Sequence, residues 1–280
     1  MIGFGEAAQA FAPAILACGL TIVAYDRDPA KRPAMDRHGV TVADGSAAAL
    51  AGASAALSLV TADQALAAAQ AATTQPGAFW FDMNSVAPHT KRAAAEAIAA
   101  AGGRYLDVAV LAPVLPGRET VPLLVSGEDA DEGAALLRAI GFANIAVAAG
   151  SVGTASSIKM IRSIMVKGIE ALSAECALAA NTAGVLPQVI ASLDASWPGA
   201  DWGSRFDYNL DRMMVHGIRR AAEMREVVAT LDHLDTGATM TRGTVERQAA
   251  IGAAGLTPPA GLAAKLAALS RLDAIKDEAA

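Results

Sequence analysis

Cysteine is nearly missing from this chain: Cys18 and Cys176 are the only two in 280 residues, and both fall inside helical patterns. That excludes a disulfide framework and leads us to expect a reducing, cytoplasmic setting. An excess of positive charge is also lacking. With 22 Lys and Arg against 28 Asp and Glu, the net charge is -6, and no basic stripe is available to neutralise phosphates, so no nucleic-acid partner is expected. No apolar run reaches the roughly 18 to 20 residues needed to cross a bilayer, and no signal-peptide pattern opens the sequence, so no membrane association is expected. No group of His, Cys or acidic residues has metal-ligand spacing, so no metal is expected. What is plentiful is hydrophobic content, 54% of the chain and much of it Ala. That is ample for one large or two ordinary domains.

The most informative segment is Gly3-Phe4-Gly5-Glu6-Ala7-Ala8. It is a GxGxxA turn running straight into an Ala-rich helix, the form of a site for a dinucleotide pyrophosphate. The first Gly permits a tight turn and the second lets backbone N–H groups approach the phosphates. The small third residue lets the helix pack on a sheet with its N-terminus aimed at the anion. About twenty residues on, Tyr25-Asp26-Arg27 closes the apolar run from Leu20, where a ribose hydroxyl needs a carboxylate acceptor. An ordinary glycine turn between strand and helix has the same local sequence; Asp26 is what separates the two readings. The motif sits early: only Met1 and Ile2 precede Gly3, where a strand of about five residues belongs. Either the start is assigned late or the central strand is clipped.

From residue 20 to about 148, short apolar strands alternate with helical stretches, the pattern of a parallel sheet covered on both faces. The expected strands are 21–25, 40–43, 55–60, 79–82, 104–110, 122–126 and 143–147, with helices starting near Pro29, Ala62, Pro88 and Asp129. Beyond Gly153 the strand signal stops and helix dominates, with breaks at 184–187, 197–203, 235–237 and 255–259. We therefore expect an α/β fold: a Rossmann-type doubly wound, mostly parallel sheet over 1–150, then an all-helical substrate and dimerisation domain over 151–280. Its first helix, about 154–182, carries an apolar stripe of Ile158, Ile161, Met165, Ile169, Leu172 and Cys176. This predicts a buried central helix. Lys159, Ser163, Lys167 and Glu170 form a narrow polar stripe on the same helix, which either faces solvent or lines a cleft.

The run Gly150-Ser-Val-Gly153-Thr-Ala155-Ser-Ser-Ile-Lys159-Met-Ile-Arg-Ser163 resembles the segment joining the two domains of the β-hydroxyacid dehydrogenase family. That family includes 3-hydroxyisobutyrate dehydrogenase, tartronate semialdehyde reductase and the coenzyme domain of 6-phosphogluconate dehydrogenase. The glycine turn, Leu59-Val60-Thr61, Asp82-Met83-Asn84-Ser85-Val86-Ala87-Pro88 and Arg104-Tyr105-Leu106-Asp107 follow the same order, so the resemblance covers nearly the whole chain. It implies an NAD(P)-dependent dehydrogenase or reductase acting on the CH–OH group of a β-hydroxy acid or related alcohol and carbonyl pair. Lys159 is then the catalytic acid/base and Ser163 the residue at the substrate hydroxyl. The physics agrees: hydride transfer needs a proton to leave or reach the neighbouring oxygen. A lysine at about 10.4 in water is too basic for this, and partial burial lowers it. The resemblance places Gly3, Phe4, Gly5, Glu6, Ala7, Asp26 and Arg27 on the cofactor, Val60 and Thr61 along it, and Asn84 and Ser85 at the nicotinamide ribose or amide. The Asp82 to Ser85 cluster also reads as a turn and helix cap leading to Pro88. A homodimer, with active sites in the interdomain cleft, is implied as well.

Several residues depart from the family pattern and indicate a divergent branch with an atypical C-terminal domain. The family's Asp-Ala-Pro-Val-Ser-Gly-Gly, whose Ser and Gly groups hold the substrate carboxylate, reads here Asp107-Val-Ala-Val110-Leu111-Ala112-Pro113. Pro113 has no N–H to donate. Val110, Leu111 and Ala112 are thus candidate substrate contacts in a damaged anion cradle, and a bulkier or less acidic substrate is expected. Ser163 stands where relatives have Asn. His216, in His216-Gly217-Ile218, is a further candidate that titrates near neutrality; Arg219 and Arg220 either supply an anion contact or form a solvated helix face. Asp26 favours NAD, while Arg27, Lys31 and Arg32 leave NADP possible. Two other functions stay open: imine reduction on the same architecture, against which Lys159 speaks, and a catalytically silent dinucleotide-binding protein.

Overall fold

The computed structural model describes residues 1–278, which fall into two compact units, Met1–Met160 and Ile161–Ala280. Unit 1 holds seven strands: β1 (Val23–Ala24), β2 (Thr41–Val42), β3 (Ala55–Ser58), β4 (Phe79–Asp82), β5 (Arg104–Val110), β6 (Leu123–Ser126) and β7 (Ile145–Val147). It also holds α1 (Glu6–Ala17), α2 (Arg32–Arg37), α3 (Ser46–Leu50), α4 (Ala65–Gln70), α5 (Pro88–Ala100), α6 (Ala130–Ala139) and the start of α7 (Thr154–Thr182). One strand-like residue, Ile2, lies between β1 and β3 and bridges Tyr25 on one side and Ser58 on the other, both in parallel. The order is thus β2-β1-Ile2-β3-β4-β5-β6-β7, parallel throughout except for β5 with β6.

Side chains alternate across this sheet, as a pleated backbone requires. Leu57, Phe79, Phe81 and Leu106 face one side and pack with Phe11 of α1, Met35 of α2 and Leu137 of α6. Ala56, Trp80 and Tyr105 face the other, against Leu50 of α3, Ala69 of α4 and Ile98 of α5. Both faces are therefore covered, which makes the sheet doubly wound. The expected strands at 79–82 and 104–110 appear with those bounds, while the outer strands are trimmed and α3 was not foreseen. The helices expected near Pro29 and Ala62 open as 3-10 turns, Pro29–Lys31 and Ala62–Gln64. The compact units divide at Met160, ten residues beyond the change of character read from the sequence, because the first turns of α7 are tied to the sheet. Gly153 and Ser156 N–H donate to Asp107 Oδ2 at 3.2 and 2.9 Å, and Ala155 N–H donates to Ser126 Oγ at 2.9 Å.

Unit 2 contains the rest of α7 with α8 (Leu186–Ser196), α9 (Trp202–His233), α10 (Thr239–Ala253) and α11 (Leu262–Glu278). Its core joins Ala174 and Ala177 of α7 to Phe206, Leu210 and Met213 of α9 and Leu266 of α11. The apolar stripe of α7 departs from expectation. Ile158, Ile161, Met165, Ile169 and Leu172 are exposed, Met165 by 64% and Leu172 by 56%, while Ser163, Lys167 and Glu170 of the polar stripe are buried. The buried polar residues are paired. Lys167 Nζ lies 2.8 Å from Glu223, and Glu170 pairs with Arg220 and accepts from Gln248 Nε2 at 2.9 Å. Arg220 is consequently buried in an ion pair, and Arg219 is paired with Glu223 at 2.6 Å, so neither is the open anion contact that the sequence allowed.

Helices α9 and α10 touch backbone to backbone at Gly217 and Gly252. A Cβ on Gly217 would lie 2.4 Å from Gln248 O, and one on Gly252 would lie 2.5 Å from Ile218 N. The glycine of His216-Gly217-Ile218 is thus a packing requirement. Gly217→Ala should destabilise the protein by about 1–3 kcal/mol through overpacking, read as a lower denaturant midpoint; an unchanged midpoint would contradict the close crossing.

Candidate active site

The glycine turn has the features a pyrophosphate site needs. Gly3 adopts φ +87°, and a Cβ there would meet Leu59 O at 2.6 Å, so only glycine fits between the two chain segments. Gly5 is the N-cap of α1, with no side-chain cap bond, and a Cβ on it would meet nothing within 4 Å. The first N–H groups of α1, from Glu6 and Ala7 onward, are therefore uncapped by any side chain and positioned for an anion. Asp26 braces this turn: its Oδ2 accepts from Phe4 N–H at 2.7 Å and its Oδ1 from Asp28 N–H at 2.9 Å. Arg27 donates to Gln64 Oε1 at 2.6 Å, beside Thr61 and Asp63. The Thr61 side chain, then Gln64, holds the Asp63 carboxyl below its ordinary range. Val60 is half-buried and Thr61 exposed. Phe4, Asp26, Arg27 and the Val60 to Gln64 segment are thereby drawn to one edge of unit 1.

At the end of β4, Asn84 is buried and held by its amide. Its Nδ2 donates to Asp82 Oδ1 at 2.8 Å and Ser58 Oγ at 2.9 Å, and its N–H donates to Asp82 Oδ1 at 2.9 Å. That fixes the carboxamide orientation and leaves Asn84 Oδ1 buried with no hydrogen-bond partner among the described residues. An acceptor so placed fits a ligand donor such as a ribose hydroxyl or a carboxamide. The turn read from the sequence is present in the Asn84 N–H to Asp82 Oδ1 bond, and the N-cap of the following helix α5 is Ala87. Next to Asn84, Ser85 Oγ accepts a hydrogen bond from Lys159 Nζ. The ammonium of α7 thus reaches the strand end that carries Asn84.

A group that the sequence reading missed lies beneath these residues. Lys91 of α5 is completely buried; its Nζ donates to Asp82 O at 2.7 Å and Asp82 Oδ1 at 2.9 Å and lies 3.4 Å from Asp107 Oδ1. Tyr105 Oη donates to Asp82 Oδ2 at 2.6 Å, and burial, reinforced by the Asp82 charge, holds that phenol protonated well above its ordinary range. Lys91 shares the helix face of Ala94 and Ile98, the one available signal of burial. The remaining candidates are Val110, Leu111 and Ala112 in unit 1 and Ser163 and His216 in unit 2. Val110 and Leu111 are half-buried and Ala112 exposed at the end of β5, where Leu111 N–H donates to Pro122 O at 2.9 Å. In unit 2, Ser163 is buried and accepts from Lys167 Nζ at 3.4 Å, and His216 is half-buried. Among the described residues no cluster of His, Cys, Asp and Glu could hold a metal, and no helix is long and apolar enough to cross a membrane.

Residues 1–146 match the family model described as the NAD binding domain of 6-phosphogluconate dehydrogenase. The chain belongs to this family. It is an NAD(P)-dependent oxidoreductase of a divergent branch, whose residues 180–251 match a domain of unknown function, DUF1932. A conserved hypothetical protein from Sinorhizobium meliloti 1021 is 39% identical, with 96% of this chain and 94% of that one covered and a TM-score of 0.79. The fold is also that of Mycobacterium tuberculosis 3-hydroxyisobutyrate dehydrogenase, solved with L-serine (14% identity, 97% of both chains, TM-score 0.78). An imine reductase from Myxococcus stipitatus in complex with NADP+ shares it too (18% identity, 96% and 97% covered, TM-score 0.57). No curated protein matches the chain in sequence. The cofactor of this oxidoreductase family is a nicotinamide dinucleotide, NAD or NADP, and the uncapped α1 terminus, the Gly3 turn and Asn84 Oδ1 fit it.

The Asn84→Ala variant removes a buried, unsatisfied acceptor that fits the cofactor. Its dissociation constant for reduced nicotinamide dinucleotide, titrated by fluorescence, should rise about tenfold, the worth of one buried hydrogen bond; equal affinity in wild type and variant would exclude that contact.

Proposed function

We propose that this chain is a dehydrogenase or reductase that interconverts a β-hydroxy acid, or a related alcohol, and its carbonyl form, with Lys159 as general acid/base. The observation that carries this reading is the Lys159 to Ser85 hydrogen bond, which sets the amine beside the buried acceptor Asn84. The nicotinamide supplies or accepts the hydride. Lys159 takes the proton from the substrate hydroxyl during oxidation and returns it during reduction. Ser163, four residues along α7, is the second proposed contact to that oxygen, and its hydroxyl accepts from Lys167. On this reading the dinucleotide domain is residues 1–150 and the substrate and dimerisation domain is 151–280.

The substrate is proposed to be bulkier or less acidic than a short hydroxy acid. Leu111 N–H is already bonded to Pro122 O, and Pro113 has no N–H, so this loop offers a poor carboxylate cradle. Val110, Leu111 and Ala112 are the proposed substrate contacts from that side, and His216 is proposed from unit 2. Asp26, with its carboxylate at the turn, supports NAD as the preferred cofactor, and Arg27 leaves room for NADP. Two free cysteines, Cys18 and Cys176, fit the cytoplasm. The exposed stripe Ile161, Met165, Ile169 and Leu172 on α7 supports a homodimer, since an apolar row of this length seeks a partner.

Turnover of a panel of β-hydroxy acids and their carbonyl forms, followed at the reduced-nicotinamide absorbance, tests the assignment. Lys159→Ala should lower kcat by about 100- to 10,000-fold with cofactor affinity intact. Unchanged turnover removes Lys159 from the mechanism, and cofactor binding without any turnover across the panel selects a silent binding protein. For the dimer, Met165→Glu combined with Leu172→Glu should shift the sedimenting species from dimer to monomer; a wild type that sediments as a monomer refutes it.

A further inference from the structure

We propose that Lys91 is a positioning residue: by joining Asp82 to Asp107 it sets the location of Asn84 and of the first turns of α7, and so of Lys159. The proposal rests on the reading of Lys159 given above. Its physical basis is the division of labour between the two carboxylates. Asp82 Oδ1 accepts both the N–H and Nδ2 of Asn84, and so orients the carboxamide. Asp107 Oδ2 accepts from Gly153 N–H, Ser156 N–H and Ser156 Oγ, the last at 2.8 Å, and so replaces a local cap at the start of α7. Lys159 lies three residues beyond Ser156, within one turn of this anchor.

Lys91 is the element common to both. Both carboxylates are buried with it. Asp107 Oδ1 accepts no hydrogen bond among the described residues and sits 3.4 Å from Lys91 Nζ. An ammonium has three donor directions; Lys91 directs two at Asp82 and leaves the third side toward Asp107. It thereby ties the side chain of Asp82, at the end of β4, to that of Asp107, its ladder partner in the middle of β5. Without it the two carboxylates face one another uncompensated, and the acceptors that hold Asn84 and the α7 anchor lose the ammonium that orients both.

A counter-charge role and a positioning role are separable. Lys91→Met removes both. Adding Asp82→Asn restores the net charge of the trio, because Asp107 alone then carries one negative charge, but does not restore the bridge. Both variants are read by amide hydrogen exchange at Gly153 and Ser156, which needs no substrate, and by kcat and KM on the fastest β-hydroxy acid of the panel. We expect exchange at these two amides to quicken about tenfold, as for loss of roughly 1.4 kcal/mol of local protection. We expect kcat in the double variant to fall about 100-fold, the effect of a small misplacement of reacting groups, with KM within about twofold. If Lys91→Met fails to fold, the charge-balanced double variant carries the test. Wild-type exchange in the double variant, or wild-type kcat there, overturns the proposal and leaves Lys91 as a counter-ion only. A Lys159→Ala variant with full turnover, beside fast exchange in the Lys91 variants, defeats the acid/base reading while the anchoring of α7 by Lys91 stands.

Discussion

Four backbone hydrogen bonds around Ile2 and Gly3 hold the coenzyme half together. Ile2 N–H donates to Leu57 O at 2.9 Å, and Leu59 N–H donates to Ile2 O at 2.8 Å on one side; Gly3 N–H donates to Tyr25 O at 2.8 Å, and Tyr25 N–H to Met1 O at 3.0 Å on the other. Through them β1 and β2 become part of the same sheet as β3. The position of every proposed phosphate and ribose contact follows from this seam. Gly3 must pass within contact of Leu59, which forces glycine and sets the direction of α1. Asp26, one residue beyond Tyr25, then meets Phe4 N–H. A displacement at Ile2 would therefore move the glycine turn, Asp26 and the Val60 to Gln64 segment together.

The fold was legible where local pattern and tertiary burial agree. Strands β4 and β5 are short, mostly apolar runs, Phe79-Trp-Phe closed by Asp82 and Arg104 followed by Tyr-Leu-Asp-Val-Ala-Val110, so their bounds were readable, and the span of α7 was too. The glycine turn was legible because its positive φ at Gly3 leaves a local mark in the sequence, although the contact with Leu59 that also requires glycine there does not. The inward face of α7 was not. Periodicity shows that two stripes exist and hydrophobicity favours burying the apolar one, but the partners decide. Lys167 and Glu170 find Glu223, Arg220 and Gln248 on α9 and α10, residues 50 or more positions away, and no local pattern announces those pairings. The same limit hid Lys91. On its own it is one lysine of a charged helical segment, and only the pairing of Asp82 with Asp107 on neighbouring strands makes its burial possible.

Buried ions of this kind are a poor source of stability. Each costs several kcal/mol to desolvate, and a well-packed apolar group often does as well or better. The two units nevertheless treat their buried charges differently. In unit 2 the charges pair between helices with additional hydrogen bonds, from Gln248 to Glu170 and from Lys167 to Ser163, a pattern that selects one packing arrangement of α7 on α9 and α10. In unit 1 the acceptors of Asp82 are shared among Lys91, Tyr105 and Asn84, while Asp107 gives Oδ2 to the start of α7 and turns Oδ1 toward Lys91. A carboxylate that caps a helix from a different strand constrains direction as well as distance. This network therefore bears on where Lys159 points.

Cofactor choice follows the same logic of shared acceptors. Asp26 is often read as a ribose receptor, yet each of its oxygens already accepts one backbone N–H, from Phe4 and Asp28. It is first a brace for the glycine turn. A carboxylate oxygen has lone pairs to spare, so a ribose hydroxyl can still be received without breaking either bond. A 2′-phosphate instead brings negative charge against a carboxylate that cannot swing away without releasing Phe4. Arg27 could offset that charge, but its guanidinium is held by Gln64 near Asp63, whose negative charge opposes the phosphate as well. On the proposed assignment of NAD, the brace would act through the cost of unlatching the turn as much as through direct repulsion of a 2′-phosphate.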